Sequence, residues 1–330
     1  MSTTSSRPAA PTAAPADTGR ETLPGAPAEN DAAAPEARLA GANVLITGGS
    51  RGLGREMARA FLVHGARVTV TGRDPDALAA TRSALAGHGE LGTAAADSTD
   101  HAALRDLARR LRAEQGGTDV LVVNAALPGP VGPAWENDPV QWWSTQQTNV
   151  LGAFLTCHAF VPQLIERRGR IVIIASHAGA HRWPHASAYS VSKAAAIKFA
   201  ENLAAELHPH GVPVFSYHPG KLTIGMAEIQ MTGRPQPGTW PERIQRWYLR
   251  EHAEGRTTPV EHSVRGVLRL AAGAADHLSG QYLTHDHADL VPGPGRTVPR
   301  TPVSGPTVPR TPGQGEPLPG PTTDDDALHP

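Results

Sequence analysis

Short runs rich in β-branched and other apolar residues alternate along this chain with longer stretches of helical periodicity. Four of these runs are NVLIT (43–47), RVTVTG (67–72), DVLVVNAA (119–126) and GRIVIIAS (169–176). Strands that alternate with helices of about ten residues or more pair in parallel, because each helix returns the chain to the same edge of the sheet. The sequence therefore predicts an α/β fold built on a single doubly wound parallel sheet with helices on both faces.

Composition divides the chain into a central part and two tails. Residues 1–38 are rich in Ala, Pro, Thr and Ser, and residues 291–330 are rich in Pro and Gly. Segments of this kind bury too little apolar surface to offset the entropy lost on ordering, so both tails are predicted to be disordered. Residues 39–290 have an ordinary globular composition and a length that one hydrophobic core can serve, which predicts a single domain.

Charge, cysteine content and hydropathy exclude several kinds of partner. The formal net charge is −1, so the chain lacks the basic excess that binds polyanions, and nucleic acid is not expected as a partner. Cys157 is the one cysteine, which excludes an internal disulfide and a cysteine-based structural zinc site. No apolar run reaches the roughly 18 residues of a membrane span, and the N-terminus lacks the apolar core of a secretory signal. The sequence predicts a cytoplasmic protein that does not bind membranes.

The segment TGGSRGLG (47–54) joins the first predicted strand to the first predicted helix. Gly48, Gly52 and Gly54 stand where a nucleotide-binding turn of the Rossmann type needs a tight bend, a close approach to the ligand and close contact between helix and sheet. The N–H groups and the positive dipole end of the following helix suit a diphosphate. The alternative is an ordinary glycine-rich connection. The predicted nucleotide contacts in this turn are Thr47, Gly48, Ser50, Arg51, Gly52, Leu53 and Gly54.

The choice of nucleotide depends on the end of the second predicted strand, TVTGRDP. NAD sites usually hold an acid about 20 residues beyond the turn, where its carboxylate binds the ribose 2′-hydroxyl. Arg73 is found there instead, and Arg51 lies within the turn, so two guanidinium groups favour a 2′-phosphate. Solvated surface charge is the alternative role for both arginines. Asp74 leaves NAD(H) possible, since a shift of one residue would direct it to the ribose. NADP(H) is therefore the predicted cofactor.

Further motifs follow the glycine turn in a fixed order. Ser176 ends the fourth run, Tyr189 comes thirteen residues later, and Lys193 four residues after that. With TGxxxGxG, this order resembles the short-chain dehydrogenase/reductase family over essentially the whole central part. The resemblance implies that Tyr189 is the general acid/base and that Lys193 assists it. It also implies that Ser176 binds the substrate oxygen and that Asn149, in QTNVLGAF, completes a catalytic tetrad.

The spacing of Tyr189 and Lys193 also has a physical reason. A tyrosine has a pKa of about 10 and is a poor base near neutrality, but a nearby positive charge lowers that pKa. Residues i and i+4 share a helix face, so Lys193 is placed to act on Tyr189. Of the 30 Lys and Arg residues, only Lys193, Lys198 and Lys221 are lysines. A compact ammonium can bind ribose hydroxyls beside a phenol, a geometry that a planar guanidinium fits poorly.

Weaker matches to the family extend the predicted cofactor site. Asp97 falls where the family holds the adenine ring, and Asn124 falls in its NNAG segment, which reads VNAA here. Turn formation is the alternative role for both residues. PGKLT (219–223) matches the segment that contacts the nicotinamide amide, with Thr223 as the contact. The predicted cofactor contacts outside the glycine turn are Arg73, Asp97, Asn124, Ala125, Tyr189, Lys193, Pro219, Gly220 and Thr223.

The substrate side is predicted from aromatic residues. Ser176, Tyr189 and Trp183 are the predicted substrate contacts, although Trp183 has packing as an alternative role. Three histidines lie near Trp183, but no carboxylate accompanies them, so no metal site is predicted. Residues 224–257 are predicted to be an irregular insertion, which the resemblance identifies as a substrate lid. The aromatic side chains of this insertion that are predicted to line its inner face, or simply to pack, are Trp240, Trp247 and Tyr248.

These features together predict an NADP(H)-dependent oxidoreductase that interconverts a carbonyl and a secondary alcohol of moderate size, which is the activity of a ketoreductase. Two alternatives are an NAD-dependent alcohol dehydrogenase and a non-catalytic nucleotide-sensing regulator on the same fold. A regulator typically loses the Tyr or the Lys, and both are present here. The resemblance also implies a homotetramer, or a homodimer, built on the predicted long helices at about 139–167 and 187–208.

Overall fold

The computed structural model of the protein describes residues 35–291. The two predicted tails lie outside this range, apart from their inner ends. The N-terminal boundary at residue 38 requires a correction, because Pro35–Leu39 form a 3-10 helix. Leu39 is 1% exposed and belongs to the core, and Glu36 lies 3.8 Å from Arg269. These long-range contacts order a segment whose composition alone resembles a tail.

One parallel sheet of seven strands forms the centre of the described part. In chain order the strands are β1 (Asn43–Ile46), β2 (Arg67–Gly72), β3 (Leu91–Ala95), β4 (Val120–Val123), β5 (Arg170–Ile174), β6 (Val214–His218) and β7 (Tyr282–Thr284). Their order across the sheet is β3-β2-β1-β4-β5-β6-β7. The strand order reverses between β1 and β4, and ligands of such sheets bind beyond the carboxyl ends of the strands near this point. The predicted doubly wound sheet is confirmed.

Helices cover both faces of the sheet. In chain order they are α1 (Gly52–Val63), α2 (Pro75–Ala84), α3 (His101–Gln115), α4 (Pro139–Gln146), α5 (Gly152–Arg167), α6 (His177–Ala180), α7 (Ser187–Leu207), α8 (Met226–Thr232), α9 (Trp240–Ala253) and α10 (Val260–Ala271). Successive strand residues point to opposite faces. Val44 and Ile46 therefore pack with α1 and α10, whereas Leu45 packs with α3, α5 and α7. The sheet thus separates two hydrophobic cores.

The predicted helix at about 139–167 is continuous but not uniformly α-helical. Gln147–Leu151 form a π-helical turn between α4 and α5, and such turns are frequent at functional sites. Within residues 35–291, Pro139–Arg167 is the one helix long and apolar enough to be compared with a membrane span, with a mean hydropathy of 1.2. Its contacts with α3 and α7 account for this apolar character, since they form the second core.

Residues 224–257 are not the irregular insertion that was predicted, because they contain α8 and α9. Pro241 lies in the first turn of α9, where proline is tolerated because no hydrogen bond is lost. Ile244, Trp247 and Glu251 recur at helical spacing and are buried. Burial of this face stabilises the helix. The prolines and glycines that precede it are the reason why the sequence did not predict it.

Candidate active site

The glycine turn between β1 and α1 has the backbone shape that a nucleotide site needs. Gly48 and Gly52 have φ angles of +64° and +53°, in the left-handed region that favours glycine. A Cβ on Gly48 would lie 2.8 Å from the Cα of Ala125, and a Cβ on Gly54 would overlap the carbonyl oxygen of Gly48. Glycine at these positions therefore lets the turn pack against the end of β4, while the N-terminus of α1 remains part of the cavity wall.

Thr47 and Asn124 hold this turn against the chain that follows β4. Thr47 Oγ1 accepts hydrogen bonds from the N–H groups of Asn124 (3.0 Å) and Ala125 (3.1 Å). Asn124 Nδ2 donates to the carbonyl oxygens of Thr47 (2.9 Å) and Gly48 (3.0 Å). Both side chains thus shape the predicted nucleotide site by binding its backbone. The sequence predicted them as direct contacts of the cofactor and did not indicate this structural role.

A cavity of about 1050 Å³ lies at the carboxyl ends of β1, β2, β4, β5 and β6 and extends to the lid. Among the described site candidates, Thr47, Asn149 and Thr223 do not line it. Leu222 and Ile224, the neighbours of Thr223, line the cavity, and the cofactor contact of Thr223 stays a prediction. The predicted site residues that line it are Gly48, Ser50, Arg51, Gly52, Leu53, Gly54, Arg73, Asp97, Asn124, Ala125, Ser176, Trp183, Tyr189, Lys193, Pro219 and Gly220.

Charged side chains line the end of the cavity next to β2. Arg73 Nη1 lies 3.8 Å from Asp97 Oδ2, and both side chains are exposed. Asp74 is the N-cap of α2, where its Oδ1 accepts hydrogen bonds from two backbone N–H groups at 2.9 and 3.2 Å. A carboxylate that caps a helix in this way is directed at the backbone. Arg51 and Arg73, rather than Asp74, therefore present charge to a ligand at this end.

Ser176, Tyr189 and Lys193 come together at the other end of the cavity. Ser176 follows β5 and caps α6, with its Oγ accepting a hydrogen bond from the N–H of Ala178 at 3.2 Å. Tyr189 lies in the first turn of α7 and, like Ser176, lines the cavity. Lys193 is 4% exposed, and its Nζ donates to the carbonyl oxygen of Ile174 at 2.7 Å and lies 5.7 Å from the centre of the Tyr189 ring.

The pKa of Tyr189 differs from the expectation. Burial raises it, and the nearby Ser176 side chain offsets this effect only in part. Burial also lowers the pKa of Lys193, to about 8, because the ammonium is removed from water. Lys193 donates its hydrogen bond to the main chain of β5 rather than to the phenol.

Asn149 has a structural place that the sequence did not indicate. It lies in the π-helical turn and is buried. Its Oδ1 accepts from the N–H of Leu127 (2.7 Å), while its Nδ2 donates to the carbonyl oxygen of Leu127 (2.9 Å) and to Ser192 Oγ (2.9 Å). Ser192 in turn donates to the carbonyl oxygen of Tyr189 at 2.7 Å. Asn149 therefore ties the cavity-lining chain after β4 to the helix that carries Tyr189.

The sequence matches the family model of the short chain dehydrogenase over residues 42–233. This range begins just before β1, ends just after α8, and includes the glycine turn and the three residues at the catalytic end. The chain belongs to the short-chain dehydrogenase family. Members of this family are NAD(P)-dependent oxidoreductases that act on CH–OH groups, and the protein is therefore an oxidoreductase of this kind.

Three related proteins match this short-chain dehydrogenase over different lengths of the chain. Short chain dehydrogenase pigC of Monascus ruber is 34% identical over 193 residues, which are 56% of this chain and 64% of that protein. The 2-dehydro-3-deoxy-L-rhamnonate dehydrogenase (NAD(+)) of Sphingomonas sp. (strain SKA58) is 37% identical over 177 residues, 53% and 70% of the two chains. Gluconate 5-dehydrogenase of Gluconobacter oxydans (strain 621H) is 28% identical over 250 residues, 75% and 94%. The chain thus spans less than two thirds of the first relative and nearly all of the third.

Solved structures share the fold. RhlG of Pseudomonas aeruginosa, in an NADP active-site complex, has 28% identity and a TM-score of 0.68, with 78% of this chain and 100% of that chain covered. A variant of actinorhodin polyketide ketoreductase with NADPH has 28% identity and a TM-score of 0.67, covering 74% and 95%. NAD+-bound xylitol dehydrogenase has 25% identity and a TM-score of 0.67, covering 74% and 98%. Both nicotinamide cofactors occur among these neighbours.

Segment 224–257 of this short-chain dehydrogenase faces the cavity with aromatic side chains. Trp183 and Trp247 pack edge to face with ring centres 5.3 Å apart, and the ring centre of Tyr248 lies 4.8 Å from that of Trp247. All three line the cavity. Trp240, predicted for the same face, stacks on His185 at 3.7 Å and does not line the cavity. Two of the three aromatic residues predicted for this segment, Trp247 and Tyr248, therefore face the cavity.

Sequence reasoning missed several polar residues that line the catalytic end. Two of them lie at strand ends, the one position where the topology could have identified them: His218 ends β6, and His285 follows β7. Within the described range, no three His, Cys, Asp or Glu side chains are placed to hold a metal ion. The missed lining residues at this end are His218, Lys221, Arg256, Thr258 and His285.

Proposed function

We propose that this short-chain dehydrogenase is an NADP(H)-dependent ketoreductase, which interconverts a carbonyl compound and a secondary alcohol by hydride transfer. One observation carries the proposal. Ser176, Tyr189 and Lys193 line the same cavity as the glycine turn, with Lys193 Nζ 5.7 Å from the centre of the Tyr189 ring. A proton donor, a hydrogen-bond donor and a cation thus face a space that also offers a diphosphate site.

Ser176 and Tyr189 both act on the oxygen of the substrate in this mechanism. During reduction, Ser176 Oγ donates a hydrogen bond to the carbonyl oxygen as negative charge develops there, and the Tyr189 hydroxyl donates the proton. The cofactor, when bound, supplies the hydride and, in its oxidised form, a positive charge. During oxidation Tyr189 accepts the proton of the alcohol, and Lys193 is the cation of the protein that stabilises the phenolate.

The preference for NADP(H) is supported by the end of the cavity next to β2. Arg51 and Arg73 both line it, and Asp74 is engaged as a helix cap. The pair between Arg73 and Asp97 is exposed and 3.8 Å apart, and exposed pairs contribute only about 0–1 kcal/mol. A 2′-phosphate would therefore separate Arg73 from Asp97 at little cost. The solved neighbours that carry NADP or NADPH support the same preference.

The substrate is proposed to be a carbonyl compound of moderate size with an apolar part. Trp183, Trp247 and Tyr248 offer it aromatic faces from the lid side of the cavity. The similarity to a polyketide ketoreductase supports reduction as the direction. Segment 224–257 is proposed to act as the lid, since α8 and α9 lie over the cavity that the glycine turn lines.

A panel of ketones with NADPH or NADH, and of secondary alcohols with NADP+ or NAD+, tests this function at the nicotinamide absorbance. We expect turnover of at least one ketone, with a higher kcat/KM for NADPH than for NADH. Binding of NADPH without turnover of any member would contradict the ketoreductase activity. Turnover that is more efficient with NADH would contradict only the cofactor preference.

A homotetramer or homodimer built on the helices from α4 to α5 and on α7 is also proposed. Large apolar side chains on these helices are exposed, and grouped side chains of this kind are characteristic of interaction sites. A contact between copies of the chain would bury them. Sedimentation velocity at micromolar concentration measures the mass, and a monomer would contradict the proposal. The exposed residues concerned are Val140, Trp143, Leu151, Phe154 and Val191.

A cytoplasmic location is part of the same proposal. Cys157 is free and buried, and burial raises its pKa to about 12. The thiol is therefore inert, and this chain needs no oxidising compartment to form its fold. Cell fractionation tests the location, and recovery in a membrane or secreted fraction would contradict it.

A further inference from the structure

The chain uses lysine at only three positions, and the proposed function explains one of them, Lys193. Lys198 is exposed and pairs with Glu201 on the surface of α7 at 2.6 Å. Lys221 differs from both, because it follows Gly220 beyond the end of β6 and lines the cavity. Its position in the wall that holds the catalytic group calls for a role of its own.

Lys221 is fixed in this wall by its backbone and its side chain. Its N–H donates to Oγ1 of Thr258 (3.1 Å), and the N–H of Thr258 donates to its carbonyl oxygen (2.7 Å). Its ammonium pairs with Glu251, whose side chain is 0% exposed, and lies 5.5 Å from the ring centre of Trp247. An ammonium has three N–H donors, so donors beyond the one that Glu251 accepts remain available to a group in the cavity.

Lys221 shares its acidic partner with a second cation. Arg256 pairs with the same carboxylate of Glu251, and both cations line the cavity. Arg256 also pairs with Glu254, whereas Lys221 has no second acidic partner among residues 35–291. Lys221 is therefore the cation of this group that a further anion in the cavity could pair with.

The acidic residues that line the cavity lie at the end next to β2 and not at the catalytic end. Asp74 and Asp97 are next to β2, and none of the described residues that line the catalytic end has a carboxylate. Asp286 follows β7, but it accepts a hydrogen bond from Thr284 at 2.5 Å and does not line the cavity. An anionic group at the catalytic end would thus meet cations without a repelling carboxylate in the wall.

Two histidines near Lys221 add hydrogen-bond donors without adding charge. His177 follows Ser176 directly, its ring centre lies 5.3 Å from that of His218, and both rings line the cavity. Burial lowers the pKa of both, to about 3 for His218, and the charge of Lys221 contributes to each lowering. The two rings are therefore neutral at physiological pH, with one N–H donor each.

We propose that Lys221 binds a carboxylate of the substrate, so that the compounds reduced by this enzyme are keto acids. The inference rests on the proposed ketoreductase function. The carboxylate accepts hydrogen bonds from the Lys221 donors that Glu251 does not use. The keto oxygen is then held by Ser176 and Tyr189 at the end of the neighbouring strand β5. A phosphate of the cofactor is the other anion that Lys221 could bind, and the test separates the two.

Pairs of keto acids and methyl esters provide the first measurement. Pyruvate, acetoacetate and levulinate place the carboxylate at increasing distance from the carbonyl, and their methyl esters remove the charge. With NADPH, we expect kcat/KM for at least one acid to exceed that of its ester by about ten- to a hundredfold, as for one charge-assisted hydrogen bond. Turnover of the esters at rates equal to or above those of the acids would overturn the proposal while leaving the ketoreductase function intact.

Lys221→Met provides the second measurement, because it removes the charge and keeps an unbranched side chain. We expect the ratio of kcat/KM for the preferred acid to that for its ester to fall to about one, while the KM for NADPH stays nearly unchanged. Lys198→Met is the matched control and should alter none of these constants. A higher KM for NADPH with the acid and the ester alike would assign Lys221 to a cofactor phosphate and overturn the proposal.

If Lys221→Met does not fold, inhibition of the wild-type enzyme tests the proposal instead. Pentanoate, which has the carboxylate but no carbonyl, should inhibit reduction of methyl levulinate competitively, and methyl pentanoate should not. Equal inhibition by both would overturn the proposal. If no ketone is reduced at all, the ketoreductase function fails, and binding to the NADPH complex decides the role of Lys221. Quenching of Trp247 fluorescence by levulinate but not by its ester would support the carboxylate site, and equal quenching would overturn it.

Discussion

The cavity has two walls that are held in different ways. The sheet wall consists of residues that follow β-strands or lie on α7, including the glycine turn, Ser176, Tyr189 and Lys193. Main-chain groups position it: Lys193 binds the carbonyl oxygen of Ile174, and the glycine turn is hydrogen-bonded to the chain after β4. The geometry of this wall therefore follows from the register of the parallel sheet.

The lid wall, formed by residues 224–257, depends on side chains. Glu251 joins α9 to Lys221 and to Arg256, and Trp247 packs against Trp183. The match to the family ends at residue 233, within this wall. Under the proposed function, chemistry and selectivity lie in parts of the chain with different constraints, and we expect a change in residues 224–257 to alter the substrate without moving the catalytic group.

Exchanging one hydroxyl in each wall is the sharpest test of this division. Tyr189→Phe removes the proton donor of the sheet wall, so kcat should fall by about 10²–10⁴-fold while cofactor affinity stays nearly unchanged. Tyr248→Phe removes the same atom from the lid wall and should leave kcat close to that of the wild type. Steady-state kinetics with one ketone measure both. Similar losses of kcat in the two variants would mean that the catalytic step does not depend on the sheet wall alone.

Removing the buried carboxylate tests what holds the lid. Glu251→Gln leaves two half-exposed cations without their shared partner, so the free energy of unfolding at pH 7 should fall by about 2–4 kcal/mol, somewhat less than for a fully buried pair. Hydrogen bonds from Arg256 and Lys221 lower the pKa of Glu251 to about 2, although burial of the carboxylate opposes this shift. The ionised group stabilises the fold fully above its ordinary pKa of 4.5, and this contribution is lost as the pH falls toward 2.

The difference in stability between wild type and Glu251→Gln should therefore shrink between pH 4.5 and pH 2. Denaturant unfolding at neutral and at acidic pH measures it. Glu201→Gln, which removes an exposed partner of Lys198, is the control and should change stability little at either pH. An equal deficit of Glu251→Gln at both values of pH would show that the ion pairs are not what holds the lid.

The two walls also differ in how far they could be predicted. Short-range sequence patterns were enough to place the catalytic candidates in one cavity. Tyr189 and Lys193 lie four residues apart in one helix, and Ser176 lies at the end of a strand. Thr223 shows the limit of that reasoning, because the irregular chain after β6 has no fixed period, and it is Leu222 and Ile224 that line the cavity. Asn149 was found by its motif, but its contacts with Leu127 and Ser192 depend on tertiary packing.

Less of the lid could be predicted. Its helix α9 was missed because prolines and glycines precede it, although Ile244, Trp247 and Glu251 carry the helical period. The partners of Glu251 lie at positions 221 and 256, and no local pattern links them. The pKa of Tyr189 was expected to fall, and burial raises it, which only the full environment of the side chain determines.

The end of the cavity next to β2 provides a smaller test, within the sheet wall. Arg73→Ala removes a charged hydrogen bond to a 2′-phosphate, so kcat/KM for NADPH should fall by about ten- to a hundredfold. The value for NADH should hardly change, because NADH has no 2′-phosphate. Arg109→Ala, at an exposed pair with Asp106 on α3, is the control. Equal losses with both cofactors would show that Arg73 has a structural role and that NADP(H) is not preferred through it.

Trp247→Phe should have the smallest effect on the kinetics, and it tests whether the lid wall acts on substrate binding alone. The substitution keeps a ring against Trp183 but loses part of the aromatic contact, worth about 0.5–1.5 kcal/mol. The indole N–H of Trp247 is buried and finds no acceptor among residues 35–291, so its removal costs no hydrogen bond and offsets part of the loss. We expect KM for a ketone with an aromatic group to rise by about two- to tenfold, with kcat unchanged and no change for a small aliphatic ketone. A fall in kcat with both ketones would place Trp247 with the catalytic group, because a residue that only selects the substrate acts on binding and not on the chemical step.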